Sequence, residues 1–355
     1  MKAVVISSNP KTLTEIKDIP LPQINDDEIL IKTKAIALNP TDWKHIIYQL
    51  SSPGDLVGSD VSGVVEAVGS SVENIKVGDF VSSFIAGNFT TRYGAFSEYV
   101  IANPQATVKY PTLTDDISTD VNSINSFIGA ASVTLGLTTI GMSYSNTLNI
   151  PKRLTPGDFI LIWAGSTTTG LLAIQLAKMM YNLKVITTAS PKNFKLVKSY
   201  GADYVFDYND PNVVDKIKEI GQNRIKFGLD IIATKQTFQN VYDTTAGTPK
   251  VYLDNLDGLD KTAISVVSSR DVHFERTAGY LAIIKEKQFG DFHFEQTSEM
   301  MKNYLKWWYD ELPKYITQIK HPKLVHLDKG FESVNDGLSM LMSNKVSAKK
   351  VVISI

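Results

Sequence analysis

Residues 159–180 read FILIWAGSTTTGLLAIQLAKMM. The run Phe159–Trp163 is apolar throughout, as in a parallel strand covered on both faces, and Leu171–Met180 carries the apolar content of a helix packed on it. Between them lies a tight turn with two glycines, Gly165 and Gly170, separated by Ser166, Thr167, Thr168 and Thr169. A strand, glycine turn and helix start in this order form the phosphate-binding corner of a dinucleotide fold. The glycines there permit the bend and close packing, and the helix N-terminus offers free N–H groups and a partial positive charge. On this reading Gly165 serves the bend, Gly170 the packing, and the hydroxyls of Ser166, Thr167 and Thr168 donate to phosphate in place of a middle glycine. The residues alone also allow a plain helix start capped by Ser and Thr. Its place between a buried strand and an apolar helix favours the first.

Downstream, the strand–helix rhythm continues. Strands are expected at Lys184–Thr187, Tyr204–Phe206, Leu229–Ala233 and Ala263–Val267, and helices at Lys192–Tyr200 and Asn212–Ile220, so this part is a doubly wound parallel sheet. The strand after the glycine turn runs into Ser190, Pro191, Lys192 and Asn193. An NAD-preferring site places an acid there to accept from the ribose hydroxyls. No acid occurs between Asp158 and Asp203. Ser190, Lys192 and Asn193 instead supply donors and positive charge for a 2′-phosphate, which points to NADPH, although solvated residues at a helix start would look the same. Upstream, short β-type runs such as Ala3–Ile6, Glu28–Lys32, Gly63–Val68 and Phe96–Ile101 alternate with turn residues, and the end of the chain (helix Glu332–Met342, strand Lys350–Ile355) has the same β character. The expected division is 1–125 with 320–355 as a β-rich domain and 126–319 as the nucleotide-binding domain.

The composition narrows the function. With 355 residues, 43% hydrophobic, and 36 basic against 37 acidic side chains, there is no electrostatic footprint for nucleic acid or an anionic membrane. The expected partner is a small-molecule substrate, the expected state a monomer or homodimer, and the expected location the cytoplasm. The absence of cysteine excludes disulfides and thiolate catalysis and removes the preferred ligand of structural zinc. Redox chemistry must then rest on a bound cofactor.

Met1–Val5, LNPTDWK at 38–44, GSDVSGVVEAVG at 58–69, VGDFV at 77–81, GAFSEY at 94–99 and GADYVFD at 201–207 together resemble the medium-chain dehydrogenase/reductase superfamily, in order along nearly the whole chain. The Asn-Pro-x-Asp-x-Lys string, the Gly-Ser-Thr turn and Ser190–Phe194 are most similar to its zinc-independent fungal branch, which holds trans-acting enoyl reductases and yeast aldehyde reductases, with quinone oxidoreductases more distant. The resemblance implies a GroES-like (chaperonin-10-like) catalytic domain, an inserted Rossmann domain, and NADPH in the cleft between them. It implies cofactor contacts from Thr41, Asp42, Trp43 and Lys44, from Ser166 to Gly170 and Ser190 to Asn193, and from Tyr208, with Thr139 beside the nicotinamide.

Zinc relatives carry a Cys where this chain has Pro40–Thr41 and a His-Glu pair where it has Ser59–Asp60, and the histidines at 45, 273, 293, 321 and 326 lack zinc spacing. No metal is expected. Without a Lewis acid, positioned donors must stabilise charge on oxygen. Asn39 to Lys44 reads as a polar loop after an apolar strand, with Asp42 fixing the loop and Lys44 bonding the nicotinamide ribose or the substrate oxygen. Lys44 and Thr139 are the candidate catalytic residues. Val266–Arg270 and Arg276–Tyr280 are candidates for the border of the nicotinamide pocket, and Trp307, Trp308 and Tyr309 form an aromatic cluster suited to packing. The expected activity is NADPH-dependent reduction of a small carbonyl or conjugated C=C. A catalytically silent NADPH-binding sensor and, against the missing ligands, a zinc alcohol dehydrogenase are the alternatives.

Overall fold

The computed structural model describes residues 1–9, 11–152, 154–289 and 292–355. From the N-terminus, β1 (Lys2–Ile6) pairs antiparallel with β2 (Thr14–Asp18). Then come β3 (Ile29–Ala37), α1 (Pro40–Ile47), β4 (Asp60–Val68), β5 (Phe80–Phe84), β6 (Tyr99–Ala102) and β7 (Thr107–Tyr110), followed by α2 (Phe127–Ala131) and α3 (Thr134–Met142). A π-helical turn, Ser143–Thr147, ends this stretch.

The next part holds β8 (Phe159–Trp163), α4 (Thr168–Tyr181), β9 (Lys184–Ala189), α5 (Phe194–Ser199), β10 (Tyr204–Asp207), α6 (Val213–Gly221), β11 (Ile225–Asp230), α7 (Lys235–Thr244), β12 (Lys250–Asn255) and β13 (Asp271–Phe274). A pair β14 (Glu286–Phe289) and β15 (Phe292–Glu295), α8 (Ser298–Lys306) and a π-helical turn Trp307–Glu311 follow. The chain closes with β16 (Lys323–Leu327), α9 (Val334–Met342) and β17 (Lys349–Ser354).

Two units result, 1–138 with 316–355, and 139–315. The first is built on a sheet ordered β16-β17-β3-β4-β5-β7, with β6 also on β3. The long β3 permits this, because Ile29–Lys32 pairs with β6 and Ala35–Ala37 with β17. Ile31, Ile36, Leu38, Phe96 and Val351 lie in its core. The second unit is a parallel sheet ordered β10-β9-β8-β11-β12-β13. Its first strand, β8, is buried at every position, and α4 starts on a Thr167 cap and ends on Asn182 in the left-handed region.

The fold class is as expected, and several boundaries move. The divide falls at 138/139 and 315/316 rather than 125/126 and 319/320, because α2 and the start of α3 are tied to the first sheet. Ser62 Oγ donates to Phe127 O, Thr134 Oγ1 to Ser82 Oγ, and Leu135 N to Asp60 Oδ1. Ala263–Val267 is not a strand: Ala263 ends a short 3-10 turn, and Val266 and Val267 are exposed. The last two strands of the sheet, β12 and β13, were not expected. The strand expected at Leu229–Ala233 starts earlier, at Ile225, and stops at Asp230, whose carboxylate turns the chain by accepting from the N–H groups of Ile232 and Ala233. Phe127–Thr147 has the length and apolarity of a membrane span, yet 89% of the window that qualifies it is buried inside the protein, as for a core helix.

Candidate active site

In the second unit the order of strands reverses at β8, since β9 and β10 lie to one side and β11, β12 and β13 to the other. In an open parallel sheet the ligand crevice lies at the carboxyl ends beside such a reversal. β8 delivers Ala164–Gly170 to that edge. The bend is made by Ala164, at φ +67°, and not by Gly165 as expected. Gly165 answers a different need: a Cβ there would lie 2.0 Å from Thr187 Oγ1 of β9, so only glycine lets the turn pack on the neighbouring strand. Gly170 is likewise pressed against the turn, with Ala164 O 2.7 Å from where its Cβ would be.

The four hydroxyls divide. Thr167 Oγ1 donates to Ala164 O and accepts from Gly170 N, both at 3.0 Å, so it caps α4 and has no proton for a phosphate, against the expectation. Ser166, Thr168 and Thr169 are half-buried, and their side chains and backbone N–H groups have no hydrogen-bond partner among the described residues. The turn is thus both a capped helix start and a cluster of unused donors at the positive end of a fourteen-residue helix.

Adjacent parallel strands bring the other expected residues to the same edge. Ser190, Pro191, Lys192 and Asn193 follow β9, and Tyr208 follows β10. Lys192 and Tyr208 are exposed, Ser190 and Asn193 half-buried, and Lys192 has no carboxylate within ion-pair distance among the described residues. Asp203, the first acid after the turn, is engaged with Lys178 and with the Val185 N–H.

Towards β12 the edge carries a cluster that sequence reasoning missed. Asp254 is fully buried, and its Oδ2 accepts from Ser143 Oγ (2.6 Å), Thr147 Oγ1 (2.9 Å) and Thr277 Oγ1 (2.7 Å). Burial pushes its carboxyl up to about 6, against the pull of those hydroxyls. Two residues beyond Thr277, Gly279 sits against Thr139: a Cβ on it would meet Thr139 Oγ1 at 2.8 Å. The signal was an acid ending an apolar strand pattern, which reads as a turn until its hydroxyl partners are known. Arg276–Tyr280 therefore belongs to the edge, whereas Val266–Arg270 does not. It precedes the parallel strand β13 and so lies at the opposite end, where Arg270 bonds Tyr242 O and Thr245 Oγ1. Trp307 and Trp308 are buried packing residues, with Trp307 Nε1 donating to Tyr181 Oη, and Tyr309 is partly exposed.

In the first unit, Asn39–Lys44 is a helix start and not a loop. Asn39 is the cap, Pro40 takes the first helical position, and Asp42 Oδ2 accepts from Asn39 N at 2.7 Å. Asp42 is fully buried and also accepts from Ser59 Oγ (2.9 Å) and Asn88 Nδ2 (3.3 Å). Its carboxyl is thus an anchor for α1 rather than a surface offered to a cofactor, and burial pushes it up to about 6. Thr41 Oγ1 shares a hydrogen bond with His45 Nε2 at 3.0 Å. Trp43 packs on the core with its indole N–H buried and unpartnered among the described residues. Lys44 is half-buried and has no ion-pair partner among the described residues.

Where zinc ligands would be sought, Asp60 is committed elsewhere: Oδ2 accepts from Asn39 Nδ2 (2.8 Å) and pairs with the buried Lys350 ammonium at 3.2 Å, which also bonds Asn39 Oδ1. A second cation beside this ammonium would be repelled, so these residues do not fit a zinc ion. No group of three or more His, Asp or Glu suited to a metal occurs among the described residues.

Two families match the chain: the alcohol dehydrogenase GroES-like domain over residues 25–112 and the zinc-binding dehydrogenase domain over residues 168–253. The trans-enoyl reductase eqxC of Fusarium heterosporum is 34% identical over 346 residues, covering 94% of this chain and 93% of that protein. Among solved structures, a quinone oxidoreductase of Pseudomonas syringae superposes with a TM-score of 0.70 at 22% identity over 100% of this chain and 99% of its own. A mycobacterial protein solved in complex with NADPH gives 0.68 at 23% identity over 100% of both chains.

Proposed function

The chain belongs to the medium-chain dehydrogenase/reductase superfamily and is an oxidoreductase of that class, and from that premise we propose that it is a zinc-independent, NADPH-dependent reductase of small carbonyl or α,β-unsaturated carbonyl compounds. The observation that carries the reading is the carboxyl edge of the parallel sheet. Unused donors of Ser166, Thr168 and Thr169 stand at the start of α4, Ser190, Lys192 and Asn193 follow β9, and no acid occurs between Asp158 and Asp203.

When bound, NADPH supplies the hydride. The chain's own residues do the rest. The N–H groups and hydroxyls of Ser166, Thr168 and Thr169 hold the pyrophosphate, with the positive end of α4 behind them. Ser190, Lys192 and Asn193 bind the 2′-phosphate, and Tyr208 covers the adenosine end. Neighbouring strands lie about 4.8 Å apart, so the three intervals from β9 to β12 amount to roughly 14 Å. An extended dinucleotide could cross such a span, and on this proposal Thr139 and Gly279 would stand beside its nicotinamide end. We further propose that Lys44, a half-buried cation with no ion-pair partner among the described residues, would bond the nicotinamide ribose or stabilise charge on the reacting oxygen. Support for a conjugated substrate comes from the trans-enoyl reductase relative.

The test is NADPH consumption against a panel of enals, aldehydes, quinones and enoyl thioesters, with NADH alongside. Turnover of at least one class with NADPH favoured over NADH is expected. Equal use of the two cofactors, or no turnover with any class, overturns the reading.

A further inference from the structure

The cluster on Asp254 joins three separate stretches of chain. Ser143 and Thr147 lie four residues apart on the π-helical turn that ends α3, so their hydroxyls fall on the same face and reach the same oxygen. Thr277 comes from the segment that extends β13, whose backbone N–H donates to Asn255 O at the end of β12. Thr277 Oγ1 lies 2.9 Å from Thr147 Oγ1 as well as 2.7 Å from the carboxylate, so the four groups form a closed buried network. Burying a carboxyl costs stability unless its partners compensate. Ser143 and Thr147 alone would tether this one to α3. The third donor ties in Thr277, two residues before the point where Gly279 touches Thr139.

We propose that Asp254 and Thr277 are positioning residues for the nicotinamide end of the site: the carboxylate clamps Thr277 and the π-helical turn together, and this holds the Gly279 backbone against Thr139 and fixes where the Thr139 hydroxyl stands. The proposal rests on the reading of Thr139 as the nicotinamide neighbour. It assigns a reason to three features: the π-helical turn brings two hydroxyls onto one carboxylate, a fully buried acid stands near the end of β12, and Gly279 has no room for a side chain. Any side chain there would push directly on Thr139.

Hydride transfer is sensitive to sub-ångström placement, whereas cofactor affinity is spread over many contacts along the edge. Loosening the clamp should therefore lower kcat and leave the dissociation constant for NADPH nearly unchanged. Thr277→Val removes the hydroxyl while keeping the shape, and Thr277→Ser restores it. We expect Thr277→Val to reduce kcat about tenfold, the scale of one lost hydrogen bond expressed in the rate, with the NADPH dissociation constant within about threefold of the parent. Thr277→Ser should bring kcat back to within about threefold. In the cofactor-free protein, the methyl NMR signal of Thr139 should move in Thr277→Val and return in Thr277→Ser. Should Thr277→Val fold poorly, Gly279→Ala tests the same contact and should give the same split between kcat and affinity.

A melting temperature that falls in Thr277→Val while kcat and the Thr139 signal stay put would show a purely structural network and overturn the proposal. A Thr139 signal that moves in a protein that binds no NADPH would leave the clamp standing and overturn its link to the nicotinamide, together with the function proposed above.

Discussion

Asp42→Asn separates the anchoring role of this carboxyl from a role at the cofactor. The Asp42 carboxyl is fully buried, and its value rises from 3.8 to about 6. A raised carboxyl binds its proton more tightly in the folded chain than in the unfolded one, so its contribution is most favourable below pH 4 and declines as pH rises through 6. At about 1.4 kcal/mol per pH unit, the decline amounts to about 3 kcal/mol. Asn cannot ionise and escapes this decline. It has one acceptor oxygen, however, where Asp42 Oδ2 serves Asn39 N and Oδ1 serves Ser59 and Asn88, so one donor set meets an amide NH2, at a cost of about 1 to 3 kcal/mol at every pH. Near pH 4.5, where about 1 kcal/mol of the decline has already occurred, the parent should be equal to the variant or more stable by up to about 2 kcal/mol, and at pH 8 the order should shift by about 2 kcal/mol in favour of the variant. Because the chain has two units, a global melt mixes them. Hydrogen exchange of the β3 and β4 amides, followed from pH 4.5 to 8, reads the right one. A stability gap that stays constant across that range would refute the reasoning.

Lys44→Ala should lower kcat/KM tenfold to a hundredfold, the worth of about 1.5 to 3 kcal/mol for a charge-assisted hydrogen bond, with an unchanged melting temperature in steady-state kinetics paired with a thermal scan. Lys192→Ala should weaken NADPH binding about tenfold in a fluorescence titration and leave NADH binding within about twofold, since only the 2′-phosphate gains from the cation. Chelator treatment should leave turnover intact, and metal analysis of active protein should find no stoichiometric zinc, because the Lys350 ammonium already pairs with Asp60.

Much of the second unit was legible because its signals are local. FILIW at 159–163 is a strand buried at every position, and the helix expected from Leu171 begins three residues earlier, at Thr168, because the Thr167 hydroxyl caps it within the turn. The helix at Pro40–Ile47 was also in principle readable: Asn39, Pro40 and Asp42 stand at the cap, first and third positions of a helix start, but Asn-Pro reads equally as a turn when the preceding strand is taken to end in a loop. β12 was hidden for a different reason. Lys250, Asp254 and Asn255 flank its short apolar stretch with residues typical of turns, and only tertiary hydroxyls from Ser143, Thr147 and Thr277 make a buried Asp254 tolerable. The β-branched Ile264, Val266 and Val267 mimic a strand, but β13 already occupies the sheet edge beside β12. Ala164 is a further instance: a left-handed bend was assigned to the glycine beside it, because a sequence does not distinguish a glycine kept for its backbone from one kept for lack of space.

The most direct test of the central claim is the fate of the label when the protein reduces a small enal with NADPH deuterated at the nicotinamide C4 position. The proposed activity requires one deuterium on the product carbon that receives the hydride, at the β-carbon for C=C reduction or the former carbonyl carbon for aldehyde reduction. A product formed without deuterium from either face of labelled NADPH would contradict it.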